Sequence, residues 1–398
     1  MSEDVWVLGA SMTKVGRYPD KDVIDLAAEA SMNALSDGGV TIQDMQVLAA
    51  GCMFQAGGIG QQIQKQIGQT GIPVYNVLNA CATGATAVRT VFLSIKAGEA
   101  DMGIAIGAEQ MGKMGLLGQA PRSEKKVFEP SGRYGAVAQV DGWLGSGTMP
   151  AVFGQAGMEY AYEHDGVGFE QFAKVAEKSH AHSALNPLAQ YNKVFSLEEI
   201  MNARVISWPN TLPMCCPTGD GAAAVVLVSD SKLKTLSREQ QRRAVKISAS
   251  VLTSDPWTEG AQVQPDVNTL TRNAANQAYE IAGVGPDDLN LVELHDCFAT
   301  AELIHYDNLG LCEPGGAGAF IDSRGPWRDG KTPVNVSGGL LSKGHPIAMT
   351  GVAGVFEVAT QMRGEAGDRQ IEGAKVGLAH VIGLGSACGV HILEKSAA

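Results

Sequence analysis

The sequence predicts an α/β chain built from two similar halves, with a long segment inserted into the first. Three observations carry this: the composition, a strand–turn–helix–strand order found near both ends, and an intervening stretch of different character. With 398 residues the chain exceeds what one hydrophobic core usually supports. Hydrophobic residues make up 45%, charged residues 18% and aromatics 6%, with 49 Gly, which suits a tightly packed α/β protein and argues against disorder.

Val5 to Leu8 reads as the first strand. Val23 to Leu35, with Leu26, Ala27, Ala30 and Leu35 at helical spacing, reads as a helix stopped by Gly38-Gly39. A strand at Val74 to Val77 runs into the small-residue turn Asn79-Ala-Cys-Ala-Thr-Gly84, then a helix from Ala85 to Ala97 and a strand from Met102 to Gly107. The far end repeats the plan. Val334 to Val336 is a strand, Ser337-Gly-Gly-Leu-Leu-Ser-Lys-Gly-His-Pro346 the turn, Thr350 to Met362 the helix and Lys375 to His380 the next strand. A Gly-Glu-Ala segment precedes the last strand of each unit, at Gly98 to Ala100 and Gly364 to Ala366, although so short a match can arise by chance.

These readings divide the chain into a first half at 1–114 and 214–244, an inserted loop domain at 115–213, and a second half at 245–398. The insert is rich in Gly, His, Tyr and Trp and contains Gly145-Ser-Gly and Ser179-His-Ala-His-Ser183. Loops of that length usually carry function, often by covering a ligand. Asp220 to Val228 returns to a buried strand.

A net charge of -12 without an extended basic run argues against a nucleic-acid surface. Arg122, Lys125 and Lys126 form the densest basic spot, read either as a solvated loop or as a contact for the phosphates of a nucleotide-like cofactor. Seven Cys, without paired ligand spacing for zinc, point to a reducing, cytoplasmic setting and not to a disulfide framework. No basic-then-apolar leader opens the chain, no apolar run reaches the ~18 residues of a membrane span, and Ser396-Ala-Ala398 differs from a Ser-Lys-Leu address.

Cys81 lies where a strand becomes a helix, and the helix dipole with its free N–H groups should lower the thiol pKa and favour thiolate. On the turn alone, a small cysteine filling a packing site is the stronger reading. His345 opens the matching helix, and a pseudo-twofold duplication would bring it beside Cys81 as the base for a covalent nucleophile. In Val292-Glu-Leu-His-Asp-Cys-Phe298, His295 and Cys297 occupy a third strand-to-helix junction ahead of a helical pattern from Ala299 to Leu309. Lacking a second pair at ligand spacing, they suit acid–base work better than a metal.

These blocks together resemble the thiolases, and within them the sterol-carrier-protein (lipid-transfer-protein) type, over essentially the whole chain. The resemblance rests on Asn79-Ala-Cys-Ala-Thr-Gly84, the segment from Cys215-Cys-Pro-Thr-Gly-Asp220, His295-Asp-Cys-Phe298, and Gly338 to Pro346 with Thr350-Gly351. It implies a thiolase fold of two βαβαβαββ halves in five layers, α-β-α-β-α, and a homodimer or tetramer. It also implies cleavage or Claisen formation of a 3-oxoacyl-coenzyme A, in fatty-acid or sterol side-chain β-oxidation, with coenzyme A and acyl-CoA as substrates and no permanently bound cofactor or metal. Cys81 would be the nucleophile, His345 its base and Cys297 the second reactive thiol. Most thiolases carry that thiol near the C-terminus, where this chain has Val381. Two oxyanion holes follow from the family pattern, one from His295 and His345, the other from the backbone N–H groups of Cys81 and Gly383.

Cys388 reads as core, and His164, His180, His182, His305 and His391 as surface or structural, whereas His380 is a candidate for orienting the site. Glu293 and Asp296 read as hydrogen-bond partners that orient His295. Met111, Met114, Leu116 and Leu117 could line an acyl tunnel or fill the core. Two rivals remain: a thiolase-fold aldolase or retro-aldolase on a steroid side-chain thioester, beside a small OB-fold partner, and a lipid-binding module without catalysis. Aldolase relatives commonly lack the nucleophilic Cys, and an appended lipid-carrier domain would follow the thiolase unit, whereas this sequence stops at Ala398.

Overall fold

Burial on both faces of the sheet decides the architecture. In the strand Asp220–Ser229, Ala223, Val225 and Leu227 face one apolar cluster while Ala222, Ala224, Val226 and Val228 face another. A strand with both faces covered reads as a continuous apolar run, as this one does. The computed structural model describes residues 3–54, 57–111, 148–256, 267–384 and 387–395. Arg122, Lys125, Lys126, Met114, Leu116, Leu117 and Gly145-Ser-Gly lie outside the described residues.

The principal elements are β1 (Val5–Met12), α1 (Val23–Asp37), β2 (Val47–Gly51), α2 (Ile59–Ile67), β3 (Val74–Val77), α3 (Thr83–Lys96), β4 (Met102–Gln110), α4 (Thr148–Glu163), α5 (Phe169–Ser183), β5 (Asp220–Ser229), β6 (Val245–Thr253), α6 (Val267–Ala282), β7 (Leu291–Glu293), α7 (Ala299–Asn308), α8 (Thr350–Arg363), β8 (Val376–Gly383) and β9 (Ala387–Lys395). Nine strands hydrogen-bond in the order β3-β2-β4-β5-β1-β6-β9-β8-β7. Read outward from the β1–β6 junction, where Trp6 pairs with Lys246 and Val7 with Val245, β5, β4 and β2 of the first half match β9, β8 and β7 of the second, and β3 has no counterpart among the described strands. β5 and β9 are antiparallel neighbours of that junction, and β2 and β7 pair in parallel with β4 and β8.

Helices α3 and α8 lie in the middle layer, packed on strands of both halves through Val88, Val91, Val355 and Val358. α1 and α2 cover the outer face of the first half, α6 and α7 that of the second, which completes the α-β-α-β-α stack. The two central helices touch at glycines. A Cβ on Gly84 would lie 2.5 Å from the Ala348 carbonyl oxygen, and one on Gly351 would lie 2.2 Å from the Ala85 nitrogen. The Thr-Gly pair at the start of each helix is therefore a packing requirement of the duplication, and it brings the two turns together.

One local expectation changes. Val334 to Val336 forms only a single bridge, from Val334 to Val292, in place of a strand. Asn335 is turned into the left-handed region at φ 53°, and its side-chain oxygen accepts the Leu294 N–H at 2.8 Å. From the inserted segment, α4 and α5 pack against α7 of the second half.

Candidate active site

β3 turns into α3 through an elbow held by side chains. Thr83 Oγ1 accepts the Asn79 N–H at 2.9 Å and donates to the Ala80 carbonyl at 2.6 Å, while the Asn79 amide donates to Thr86 Oγ1 at 2.9 Å. Ala80 sits at φ 47°, a left-handed conformation that costs a residue with a Cβ roughly 1 kcal/mol or more. The elbow thus holds Cys81 at its tip, two residues before α3 begins.

His345 meets Cys81 from the other half, with Nε2 3.3 Å from Sγ. The tautomer is assigned from the hydrogen bonds around the ring. Thr350 Oγ1 lies 2.7 Å from His345 Nδ1, and the one proton of that hydroxyl is directed to the Pro346 carbonyl at 3.2 Å. The hydroxyl therefore accepts from Nδ1–H, which leaves the lone pair on Nε2, facing the thiol. That is the protonation state a base for Cys81 needs.

His295 lies beside this pair, its ring 5.2 Å from that of His345 at 81°, and Cys81, His295 and His345 each place a donor atom within 4.8 Å of the others. Carboxylates fix the backbone around it. Glu293 accepts from the Ser337 N–H at 3.0 Å and Asp296 from the Leu340 N–H at 2.6 Å, so they tie this segment to the turn before His345. Gly339 is required there, since a Cβ would fall 1.9 Å from Asp296 Oδ2. Glu293 and Asp296 are thus hydrogen-bond clamps. The His295 N–H reaches His380 Nδ1 at 3.4 Å, which gives His380 an orienting contact.

Cys81, His295, Cys297 and His345 all line one cavity of about 60 Å³, with Met53, Phe153 and Leu384 among its apolar walls. Gly383 backs on the elbow, where a Cβ would meet the Asn79 carbonyl oxygen at 2.2 Å. Val381 packs with Ala82 and Ala85, and Cys388 is buried. His180 and His182 are not surface residues. His180 bridges Pro213 and Ser342, and His182 bridges Asn335 and Arg328. His305 and His391 are buried too, and His164 packs a tilted ring against Tyr160. Met111 is fully buried.

The electrostatics correct one expectation. Burial, reinforced by the charge of Glu109, pushes the Cys81 thiol up to about 12, while the N–H groups of Cys81 and Leu384 pull the other way. Desolvation outweighs the helix end because the pocket is apolar. Burial also lowers His345 to about 3, and it drives His295 well below the usual range with the neighbouring His345 adding to the effect. The resting pair is thus a neutral thiol and a neutral imidazole. Cys297 is raised well above an ordinary thiol by burial.

Sequence reasoning assigned no role to Cys216, which lines the same cavity and whose N–H donates to the Cys297 carbonyl at 3.0 Å. The Cys215-Cys-Pro block was the available signal. Glu109 was also missed. It is fully buried and accepts the N–H groups of Met53 and Phe54 at 2.9 and 3.2 Å, which holds Met53 in the cavity wall.

Comparison with known proteins gives a consistent picture. Residues 5–202 match the family model "Thiolase, N-terminal domain" and residues 257–395 match "Thiolase C-terminal domain-like". Sterol carrier protein 2 of Rattus norvegicus is 39% identical over 395 residues, 96% of this chain and 70% of its own length. Acetyl-CoA acetyltransferase of Methanothermobacter thermautotrophicus is 33% identical over 401 residues, 98% of this chain and 100% of its own. Among solved structures, an Ltp2-ChsH2(DUF35) aldolase superposes with TM-score 0.81 at 21% identity, covering 100% of this chain and 99% of that one. Human mitochondrial 3-ketoacyl-CoA thiolase does so with TM-score 0.74 at 17% identity, covering 99% of both chains. At those identities the two structures speak for the fold alone.

Proposed function

Because this chain belongs to the thiolase family, we propose that it is an acyltransferase that cleaves a 3-oxoacyl-CoA with coenzyme A, or runs the reverse Claisen condensation, through an acyl-enzyme on Cys81. The observation that carries this reading is the Cys81 Sγ to His345 Nε2 contact of 3.3 Å with the imidazole lone pair on the thiol side. In this reading the halves at 1–114 with 214–244 and at 245–398 each supply one of the two, and Met149 and Phe153, from the described part of the segment 115–213, add to the cavity wall.

His345 Nε2 takes the Cys81 proton as Sγ bonds to the 3-keto carbon. The C2–C3 bond then breaks, and its electron pair leaves on C2 as the enolate of acetyl-CoA. Cys297 protonates C2. Its raised pKa suits both roles it must fill, since the thiol is neutral at rest and its thiolate is a strong base. That thiolate deprotonates the incoming coenzyme A, whose sulfur attacks the acyl-enzyme carbonyl and releases the shortened acyl-CoA, and His345 returns the first proton to Cys81. His295 and the protonated His345 donate to one developing oxyanion, and the N–H groups of Cys81 and Gly383 to the other. Each such donor is worth roughly 3–4 kcal/mol of barrier.

Straight, 2-methyl-branched and sterol side-chain substrates, a β-oxidation role, a cytoplasmic setting and a homodimer belong to this reading. The second reading is an aldolase on a steroid side-chain CoA thioester with an OB-fold partner, since the same fold carries the structure named Ltp2-ChsH2(DUF35) aldolase. It leaves the Cys81–His345 pair without a task. Product analysis with a 3-oxoacyl-CoA panel and free coenzyme A separates them. Acetyl-CoA plus a chain-shortened acyl-CoA is expected, lost in Cys81→Ala, while turnover of a 3-hydroxyacyl-CoA to an aldehyde or ketone would overturn the acyltransferase reading.

A further inference from the structure

The donor set at the bottom of the cavity suits a second occupant. One thiol and two imidazoles, from Cys81, His295 and His345, converge with ligand atoms no more than 4.8 Å apart, and the Cys81–His345 pair is already at 3.3 Å. In a tetrahedral zinc site, with Zn–S about 2.3 Å and Zn–N about 2.0–2.1 Å, neighbouring ligand atoms lie about 3.3–3.6 Å apart. Closing the set requires a movement on the order of 1 Å by His295. That ring breaks no Nδ1 hydrogen bond by moving, since its Nδ1 is buried without a partner among the described residues. His345, by contrast, is oriented by Thr350 at 2.7 Å, the outer-shell support typical of a metal-binding imidazole.

We propose that Cys81, His295 and His345 bind one zinc-class ion, a soft-to-borderline divalent cation, and that this binding reversibly closes the reactive thiol. Binding displaces the thiol proton to solvent, one per ion, and forms a Zn–thiolate bond. The fourth position faces the cavity, where the Cys216 and Cys297 thiols stand in the wall, or holds a water. His345 already turns Nε2 towards the thiol, with Nδ1 occupied by Thr350. Sulfur and nitrogen donors exclude magnesium and calcium, which require oxygen. The ion competes with acylation because both use Cys81 Sγ. The inference depends only on the proximity of three side chains and stands or falls apart from the reaction assigned above.

The test treats the full chain, free of coenzyme A, with iodoacetamide at increasing zinc chloride and follows alkylation of the Cys81 peptide by mass spectrometry. Zinc should slow alkylation of Cys81 at least tenfold, a chelator should restore it, and magnesium chloride should leave it unchanged. Zinc bound after desalting should fall from one equivalent per chain to none in Cys81→Ala. Alkylation of Cys81 at the same rate with and without zinc overturns the proposal, as does an equivalent of zinc retained by Cys81→Ala. The alkylation arm uses the unaltered protein, so it holds whether or not the variant folds.

Discussion

Replacing Thr350 with Val tests how His345 is made a base. Val keeps the shape of Thr while removing the oxygen 2.7 Å from Nδ1, at a position only 9% exposed. The imidazole must then bury Nδ1–H without a partner or shift its proton to Nε2, where it blocks the thiol. Leaving a buried donor unsatisfied costs about 1–3 kcal/mol. If that cost falls on the productive tautomer, acylation of Cys81 should slow by about 5- to 160-fold. Single-turnover acylation by a 3-oxoacyl-CoA reads this directly. Loss of the hydroxyl's bond to Pro346 should cost a further ~1 kcal/mol of stability, seen in denaturation and not in the rate. Thr350→Ser keeps the oxygen and should recover most of the rate. Acylation at the wild-type rate in Thr350→Val, with the protein folded, would refute the tautomer argument.

Three other outcomes follow from the packing and the charges. Gly84→Ala would force a Cβ to within 2.5 Å of a backbone oxygen, and overpacking of that kind costs about 1–3 kcal/mol, measurable as a lower midpoint of chemical denaturation. Lys178→Met would leave Glu302 without the partner it holds at 2.7 Å with both side chains fully buried, so a loss of about 3–5 kcal/mol is expected, partly recovered by adding Glu302→Gln. His182, His305, His345 and His391 are each lowered by burial to about 3. Below pH ~6.5 the unfolded chain takes up protons that the folded chain refuses. Stability present above pH ~6.5 is therefore lost as pH falls towards 3, by about 1.4 kcal/mol per pH unit for each histidine. A denaturation midpoint unchanged from pH 7 to pH 5 would contradict this.

Much of the fold was legible because its signals are local. The helix from Val23, the strand from Asp220 and the strand-to-helix turns at Cys81 and His345 each follow from period and turn chemistry, and their observed bounds differ by a few residues. The duplication was legible because the same order of strand, turn, helix and strand occurs near both ends. What was not legible depends on distance. No spacing rule says that Asn335 turns out of a strand to hold Leu294, or that α4 and α5 pack on the second half. The lowered thiol pKa expected at Cys81 fails for the same reason, since a helix end is visible in sequence and the apolar cavity around it is not. His180 and His182, read as bland, bind α5 to the loop that carries His345.

The most direct measurement is the mass of the Cys81 peptide after brief incubation with a 3-oxoacyl-CoA in the absence of coenzyme A, followed by acid quench and digestion. An increase equal to the acyl chain shortened by two carbons, confined to Cys81 and discharged by added coenzyme A, is predicted. Consumption of the substrate with no acyl group on Cys81 would contradict the account.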